Sequence, residues 1–443
     1  MKKRNYTLAL LFAMLVITQL NANNYVWLHG LNDNYNCWKV YDNAFTPGIS
    51  SRPGYSSNNS IANIANSVWN NNYLSYRSDI ILIGHSLGGL IAREIESKKY
   101  SNVKAIITIG TPHQGAYVEN AIAQGKQHEF VSSLSNKFAI GLSASTAALV
   151  GPFWPVQAGG IVVIDGTIMV VTNKVLVPYI ESQMADGSLQ SEKDMQVGST
   201  YMNTASARKV NVPILCFAAE EDRWSVARLA YCASNKDKLN SDATLNSDGS
   251  YDKTGYNYLQ AAQTGCYTLS GIHAGCAAGA LALGWWNPWG WWAAGVNTAA
   301  GIYWLTTGNY LNNGLDYDYS VLLGSYAYEQ RSYCYQKMVC PQAPLPYEPV
   351  KGKQNIIAPP TYSTDDCYYE TVCETRTVAI PCAHDGTVST YTQQLDKSKG
   401  TNVIWATSTI KGVNHMEEFN HYKTKAEFGK AINDGYYGIY FKK

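Results

Sequence analysis

The chain has 443 residues, of which 15% are charged, and a formal net charge of +1. That length allows one large domain with insertions or two domains, and the near-zero charge offers no basic field to draw in nucleic acid. With 33 tyrosines and 12 tryptophans among so few charges, the composition suits a surface that meets lipids, sugars or other neutral partners.

In chain order, "MKKRNYTLALLFAMLVITQLNAN" begins with basic residues, runs apolar over 8–17 and turns polar before Ala22. This layout predicts a secretory signal peptide over 1–22, because the apolar run is too short for a good spanning helix. An exported chain, periplasmic, at the cell surface or secreted, is expected. "NYVWLHGLNDN" then gives a short buried-strand pattern over 25–28 that breaks at His29-Gly30. In "SIANIANSVWNN" the residues Ile61, Ile64, Ala65, Val68 and Trp69 recur at helical spacing. "DIILIG" reads as a fully buried strand and the segment over 87–99 as a helix, with Leu90, Ile91 and Ile95 on one side. Further strands are expected over 103–110, 212–222 and 401–410, and a closing helix over 422–435 ended by Gly435.

Continuous apolar strands alternating with helices predict an α/β fold, with a mostly parallel central sheet covered by helices on both faces. Two stretches interrupt the rhythm: an apolar, Gly- and Ala-rich one over 138–180, suited to a lid, and a long irregular one over 223–381. The expected organisation is a core first part over 23–222, an insertion over 223–381 and a core last part over 382–443.

All ten cysteines lie beyond the signal segment. An even number in an exported chain predicts disulfides, chiefly in the insertion. The C-x5-C spacings at Cys334/Cys340 and Cys367/Cys373 do not match zinc-ribbon spacing, so no metal or cofactor is expected. The insertion also carries "LALGWWNPWGWWAAG", with Trp285, Trp286, Trp289, Trp291 and Trp292, inside a segment over 254–315 free of Asp, Glu, Lys and Arg. Tryptophan favours the boundary between water and lipid, so this segment suits contact with a lipid–water interface or a substrate. The competing expectation is a disulfide-tied subdomain with the tryptophans as its own core.

Gly84-His85-Ser86-Leu87-Gly88 fits G-x-S-x-G between a predicted strand and a predicted helix. That corner forces the serine into an unfavourable conformation and exposes its hydroxyl at the carboxyl end of the sheet. An alcohol needs a base to take its proton, and the fold's chain order is Ser, then Asp or Glu, then His. His415, in the loop past the last strand, is the expected base. Asp385, in the turn "HDGTVS", is favoured as the acid. Asp222, in an acidic cluster at the end of the 212–222 strand, is the alternative. The oxyanion donors expected are the backbone N–H groups of Leu87 and Leu31.

"VWLHGLND", "LIGHSLGGLIAR", "TIGTPHQG", "HDGTVS" and "GVNHMEEFNH" together resemble secreted bacterial lipases and esterases of the α/β-hydrolase superfamily. The resemblance covers about the first 115 and last 60 residues. It implies hydrolysis of a carboxylic ester, with Ser86 as nucleophile, His415 as base, Asp385 as acid, and Leu31 and Leu87 as oxyanion donors. It gives no match for the insertion, and no residues clearly match the calcium site of some such lipases. A lipid or acyl ester is the expected substrate. A bulky or glycosylated ester, or ligand binding without catalysis, is the alternative.

Overall fold

The computed structural model describes residues 24–98, 101–130, 188–221, 254–284, 288–324, 326–339 and 368–443, with isolated helical positions between them. The signal segment over 1–22 and Asp222 lie outside the described residues, as does nearly all of 138–180.

In chain order the strands are β1 (Asn24–Leu28), β2 (Ser50–Ser51), β3 (Ile80–His85), β4 (Val103–Ile109), β5 (Ile214–Phe217), β6 (Ala219–Glu220), β7 (Tyr326–Val339), β8 (Tyr368–Pro381), β9 (Val403–Trp405) and β10 (Ile410–Lys411). The helices are α1 (Lys39–Phe45), α2 (Ile61–Asn71), α3 (Leu87–Ser97), α4 (Tyr117–Ala123), α5 (Gln190–Met195), α6 (Thr200–Ala207), α7 (Thr254–Gly284), α8 (Pro288–Asn309), α9 (Leu315–Leu322) and α10 (Tyr422–Gly429).

Six strands form one sheet in the order β2-β1-β3-β4-β5-β9, and every pairing is parallel. Side chains alternate between two cores. Tyr25 and Trp27 join one cluster with Tyr41, Phe45 and Phe428, from α1 and α10. Val26 and Leu28 join the other with Ile61, Val68, Leu90 and Ile95, from α2 and α3. Burial on both faces is why these strands read as continuous apolar runs. Each such side chain contributes about 1.5–3 kcal/mol when fully buried. The tryptophans that carry polar tips into this core satisfy them: Trp27 Nε1 donates to Thr46 Oγ1 at 3.0 Å and Trp38 Nε1 to Leu28 O at 2.9 Å.

The local signals are used as expected. The residues that α2 buries are Ile61, Ile64, Ala65, Val68 and Trp69, and Ser60 caps it by accepting the Asn63 N–H. The last helix runs on through a π-type turn to Gly435, whose φ of 68° stops it. From β1 the chain moves outward to β2, then returns to β3 on the other side. Strand order therefore reverses between β1 and β3, and the crevice beyond their carboxyl ends is where open α/β sheets place ligands.

The long insertion is divided. Residues from Tyr326 to Pro381 form a compact unit of their own, apart from the rest of the chain. Within that unit β7 and β8 make an antiparallel ribbon in register from Tyr326↔Pro381 to Val339↔Tyr368, and Cys334 and Cys373, directly paired, are joined by a disulfide. The earlier part of the insertion, α7 to α9, belongs with the core unit. There α7 and α8 pack as a helical hairpin. The hairpin is close-set because α8 offers glycines: a Cβ on Gly308 would lie 2.7 Å from the Tyr267 ring. Buried His273 meets Asn297 across the pair, with 2.9 Å between Nδ1 and Oδ1.

Two sequence expectations need correction here. Among the described residues the even cysteine count does not pair throughout, since Cys216 and Cys276 are free thiols. Cys216 is buried in the core, and its sulfur lies 3.6 Å from His113 Nε2. The hairpin carries a free thiol at Cys276 on α7. Nor do its described tryptophans form a single core: Trp304 is buried, while Trp291 and Trp292 are 61% and 46% exposed. Trp285, Trp286 and the side chain of Trp289 lie outside the described residues.

Candidate active site

Ser86 stands between the end of β3 and the start of α3 with φ 54° and ψ −124°. A side chain rarely occupies that region, and holding it there costs about 1–3 kcal/mol. The flanking glycines make the corner possible by clearance. A Cβ on Gly84 would sit 2.3 Å from Gly89 N, and one on Gly88 would sit 2.4 Å from Leu28 O. The Ser86 N–H is held by Ile109 O at 3.0 Å, which ties the corner to β4.

The loop after β1 passes directly over this corner. A Cβ on Gly30 would come within 2.9 Å of His85 Nδ1 and 3.2 Å of Ser86 Cβ. His29 fixes the loop by stacking on Tyr55, with ring centroids 3.8 Å apart, while Tyr55 OH donates to His29 O at 2.5 Å. Leu31 follows and lines the same cavity as Ser86, and Leu87 is buried as the first residue of α3.

His415 follows β10 and is brought to the cavity by two ties to the turn that bears Asp385. Its backbone N–H donates to Asp385 O at 2.8 Å, and its Nδ1 lies 2.7 Å from Asp385 Oδ2. Asp385 is fully buried, and its carboxylate is saturated with donors. Oδ1 accepts the N–H groups of Thr387 and Val388 at 2.8 and 2.7 Å, and Oδ2 also accepts Gln393 Nε2 at 3.1 Å.

The helical insertion reaches this site. From α9, Tyr319 OH donates to Gly386 O at 2.7 Å, and Ser320 Oγ lies 3.1 Å from His384 Nε2. Because His384 Nδ1 accepts the Gly386 N–H, its proton sits on Nε2. Burial pushes His384 down to about 4, so the ring is neutral at ordinary pH. Two helical contacts thus brace the turn that holds Asp385.

Three site residues escaped the sequence reading. Glu418 is fully buried, with Oε2 3.1 Å from His85 Nε2 and 3.8 Å from His415 Nδ1. Burial and the adjacent Asp385 push its carboxyl well above the usual range. Its spacing three residues after His415 was the available signal. His85, inside the serine motif, donates from Nε2 to His415 O at 2.9 Å. His85, His415 and Glu418 bring ligand-type atoms within 4.8 Å of one another; His85 Nε2 and His415 Nδ1 also address the oxygens of His415 and Asp385. Glu119, on α4, lines the cavity and carried no sequence signal.

The cavity has a volume of about 100 Å³ and is walled chiefly by apolar groups, among them Leu31, Val118, Ile122, Met195 and Met416. The sheet order, the strained serine corner and the helices on both faces are those of an α/β-hydrolase. A family model described as a PGAP1-like alpha/beta domain matches residues 57–151, which contain β3, the corner, α3 and β4. No curated protein matches the chain in sequence. Among solved structures it is similar to an extracellular alpha/beta-hydrolase from a Paenibacillus species, at 13% identity over 45% of this chain and 78% of that one, with a TM-score of 0.26. It is also similar to a thermophilic esterase from Thermogutta terrifontis, at 15% identity over 47% and 78%, with a TM-score of 0.27. A third is the haloalkane dehalogenase DbeA from Bradyrhizobium elkani, at 13% identity over 45% and 73%, with a TM-score of 0.24. Scores this low carry nothing about substrate. Among the described residues, no helix is long and apolar enough to cross a membrane.

Proposed function

We propose that this protein is an exported serine hydrolase of carboxylic esters, acting on lipid-like or other acyl esters. The observation that carries the reading is the convergence on one cavity of Ser86, at a backbone angle few side chains adopt, and His415, whose Nδ1 lies 2.7 Å from Asp385. With Nδ1–H donated to Asp385, His415 Nε2 is the nitrogen free to act as a base. Ser86 Oγ adds to the ester carbonyl as Nε2 takes its proton. The oxyanion is held by the N–H groups of Leu31 and Leu87, each worth about 2.7–4 kcal/mol. Collapse expels the alcohol, which takes the proton from His415, and water then repeats the sequence on the acyl-enzyme to release the acid.

A cavity of about 100 Å³ is below the roughly 300 Å³ that encloses a drug-sized ligand. It therefore takes the reacting end of a substrate, and the remainder lies against the outer surface. Trp291 and Trp292, exposed on an uncharged helical hairpin, suit that surface to a lipid–water interface.

The test combines a fluorophosphonate with a panel of p-nitrophenyl esters of increasing chain length. One equivalent of label on Ser86, lost in Ser86→Ala, together with ester turnover, supports the reading. A folded protein that neither labels nor turns over any ester is a binding protein with a hydrolase core.

A further inference from the structure

Glu119 is an unusual group to find where it lies. It is 6% exposed, and it lines the same cavity as Ser86 and His415, among Val118, Ile122 and Met195. Its Oε2 is buried and has no hydrogen-bond partner among the described residues. A second buried carboxyl, Glu192 on α5, acts on it through its charge, and Glu192 also caps its own helix, accepting the Leu189 N–H at 3.0 Å. Burial, with the Glu192 charge adding to it, raises Glu119 to about 8. Near neutral pH it is thus a carboxylic acid, carrying one O–H donor and one carbonyl acceptor. A buried polar group left without a partner is destabilising, and native structures retain few of them. In a cavity that must accept substrate, the missing partner is supplied by the substrate.

Building on the ester-hydrolase reading, we propose that Glu119 determines specificity: it forms a polar subsite that hydrogen-bonds an uncharged oxygen, ether or hydroxyl, borne by the substrate away from the scissile ester. The subsite rejects a carboxylate at that position, since the Glu192 charge already acts there. It acts on binding of the substrate's substituent and takes no part in proton transfer at the reacting carbonyl.

The test uses ether isosteres of simple acyl esters. The p-nitrophenyl esters of pentanoate and 3-methoxypropanoate form one pair, and those of hexanoate and 4-methoxybutanoate another. Each kcat/KM is divided by the hydroxide-catalysed rate of the same ester, which removes the electronic effect of the oxygen. The wild type should favour the ether at one of the two positions. In Glu119→Leu that ether-to-alkyl ratio should fall about 5- to 10-fold, the effect of one hydrogen bond. Glu119→Gln, which keeps a donor and an acceptor, should hold the ratio within about 2-fold of wild type. A flat wild-type series, or the same ratio in Glu119→Leu as in wild type, overturns the subsite while alkyl turnover keeps the ester reading intact. If Glu119→Leu fails to fold, the wild-type positional preference and its retention in Glu119→Gln decide. An absence of turnover for every ester overturns both.

Discussion

The serine corner and the helical hairpin solve opposite problems with the same residue. At the corner, glycines are walled by main chain: a side chain on Gly88 would meet Leu28 O at 2.4 Å and His29 O at 2.7 Å. In the hairpin, Gly308 is walled by the ring of Tyr267, a side chain that is itself partly exposed. Main chain in a parallel sheet cannot yield without breaking its ladder, whereas a surface ring can turn aside. The corner is therefore held in one geometry from all sides, and the hairpin has room to adjust. Catalytic positioning needs the first property, and contact with a variable surface is served by the second.

The largest expected effects break the corner's chemistry. Ser86→Ala or His415→Ala should lower ester kcat by about 10⁵- to 10⁶-fold while circular dichroism stays unchanged, since nucleophile and base act as a unit. Near-normal turnover in either folded variant would remove the triad. Asp385→Asn comes next, at about 10³- to 10⁴-fold, through loss of the tautomer and of imidazolium stabilisation. Asp222→Asn, measured beside it, should change little; the reverse pattern would move the acid to the end of the preceding strand.

A paired substitution tests the comparison itself. Gly88→Ala should destabilise the protein by about 3 kcal/mol or more, and Gly308→Ala by less than about 1 kcal/mol, read from urea melts. Equal losses would mean that the hairpin is as tightly fixed as the corner. Replacing Trp291 and Trp292 together by Ser should abolish any rise in activity on emulsified ester, with turnover of a soluble short-chain ester retained. Equal loss of both activities would make the tryptophans structural.

The smallest effect concerns Glu119, on which the Glu192 charge acts and with which Tyr319 from α9 shares the cavity wall. Its folded value of about 8 lies above its ordinary 4.5. Across that window the folded chain keeps a proton that the unfolded chain has released, so its contribution to stability falls as pH rises. The Tm of Glu119→Gln relative to wild type should therefore increase from pH 5 to pH 8, by roughly 2–6 °C. A constant difference would mean that the carboxyl does not titrate there.

Much of this molecule follows from its sequence alone. The apolar runs at Ile80 and Val103, the spacing of Ile61 to Trp69 and the glycines around Ser86 act through local geometry and through burial on two faces, and both leave a pattern in the chain. The candidate acid and base were legible for a similar reason, because chain order and strand ends constrain where such partners stand. What tertiary structure alone decided depends on contacts between distant segments. Glu119 and Glu192 are 73 residues apart by their numbers, and nothing in "GAYVENAIA" announces that its carboxyl faces a cavity. Cys216 counted toward the expected disulfides because an even count cannot distinguish a pairing thiol from one packed in a core. Tyr319 reaches the Asp385 turn only because α9 folds back from an insertion that sequence pattern set apart. Local propensity is written in neighbouring residues, whereas burial, pairing and the state of a proton are decided by whatever the fold brings alongside.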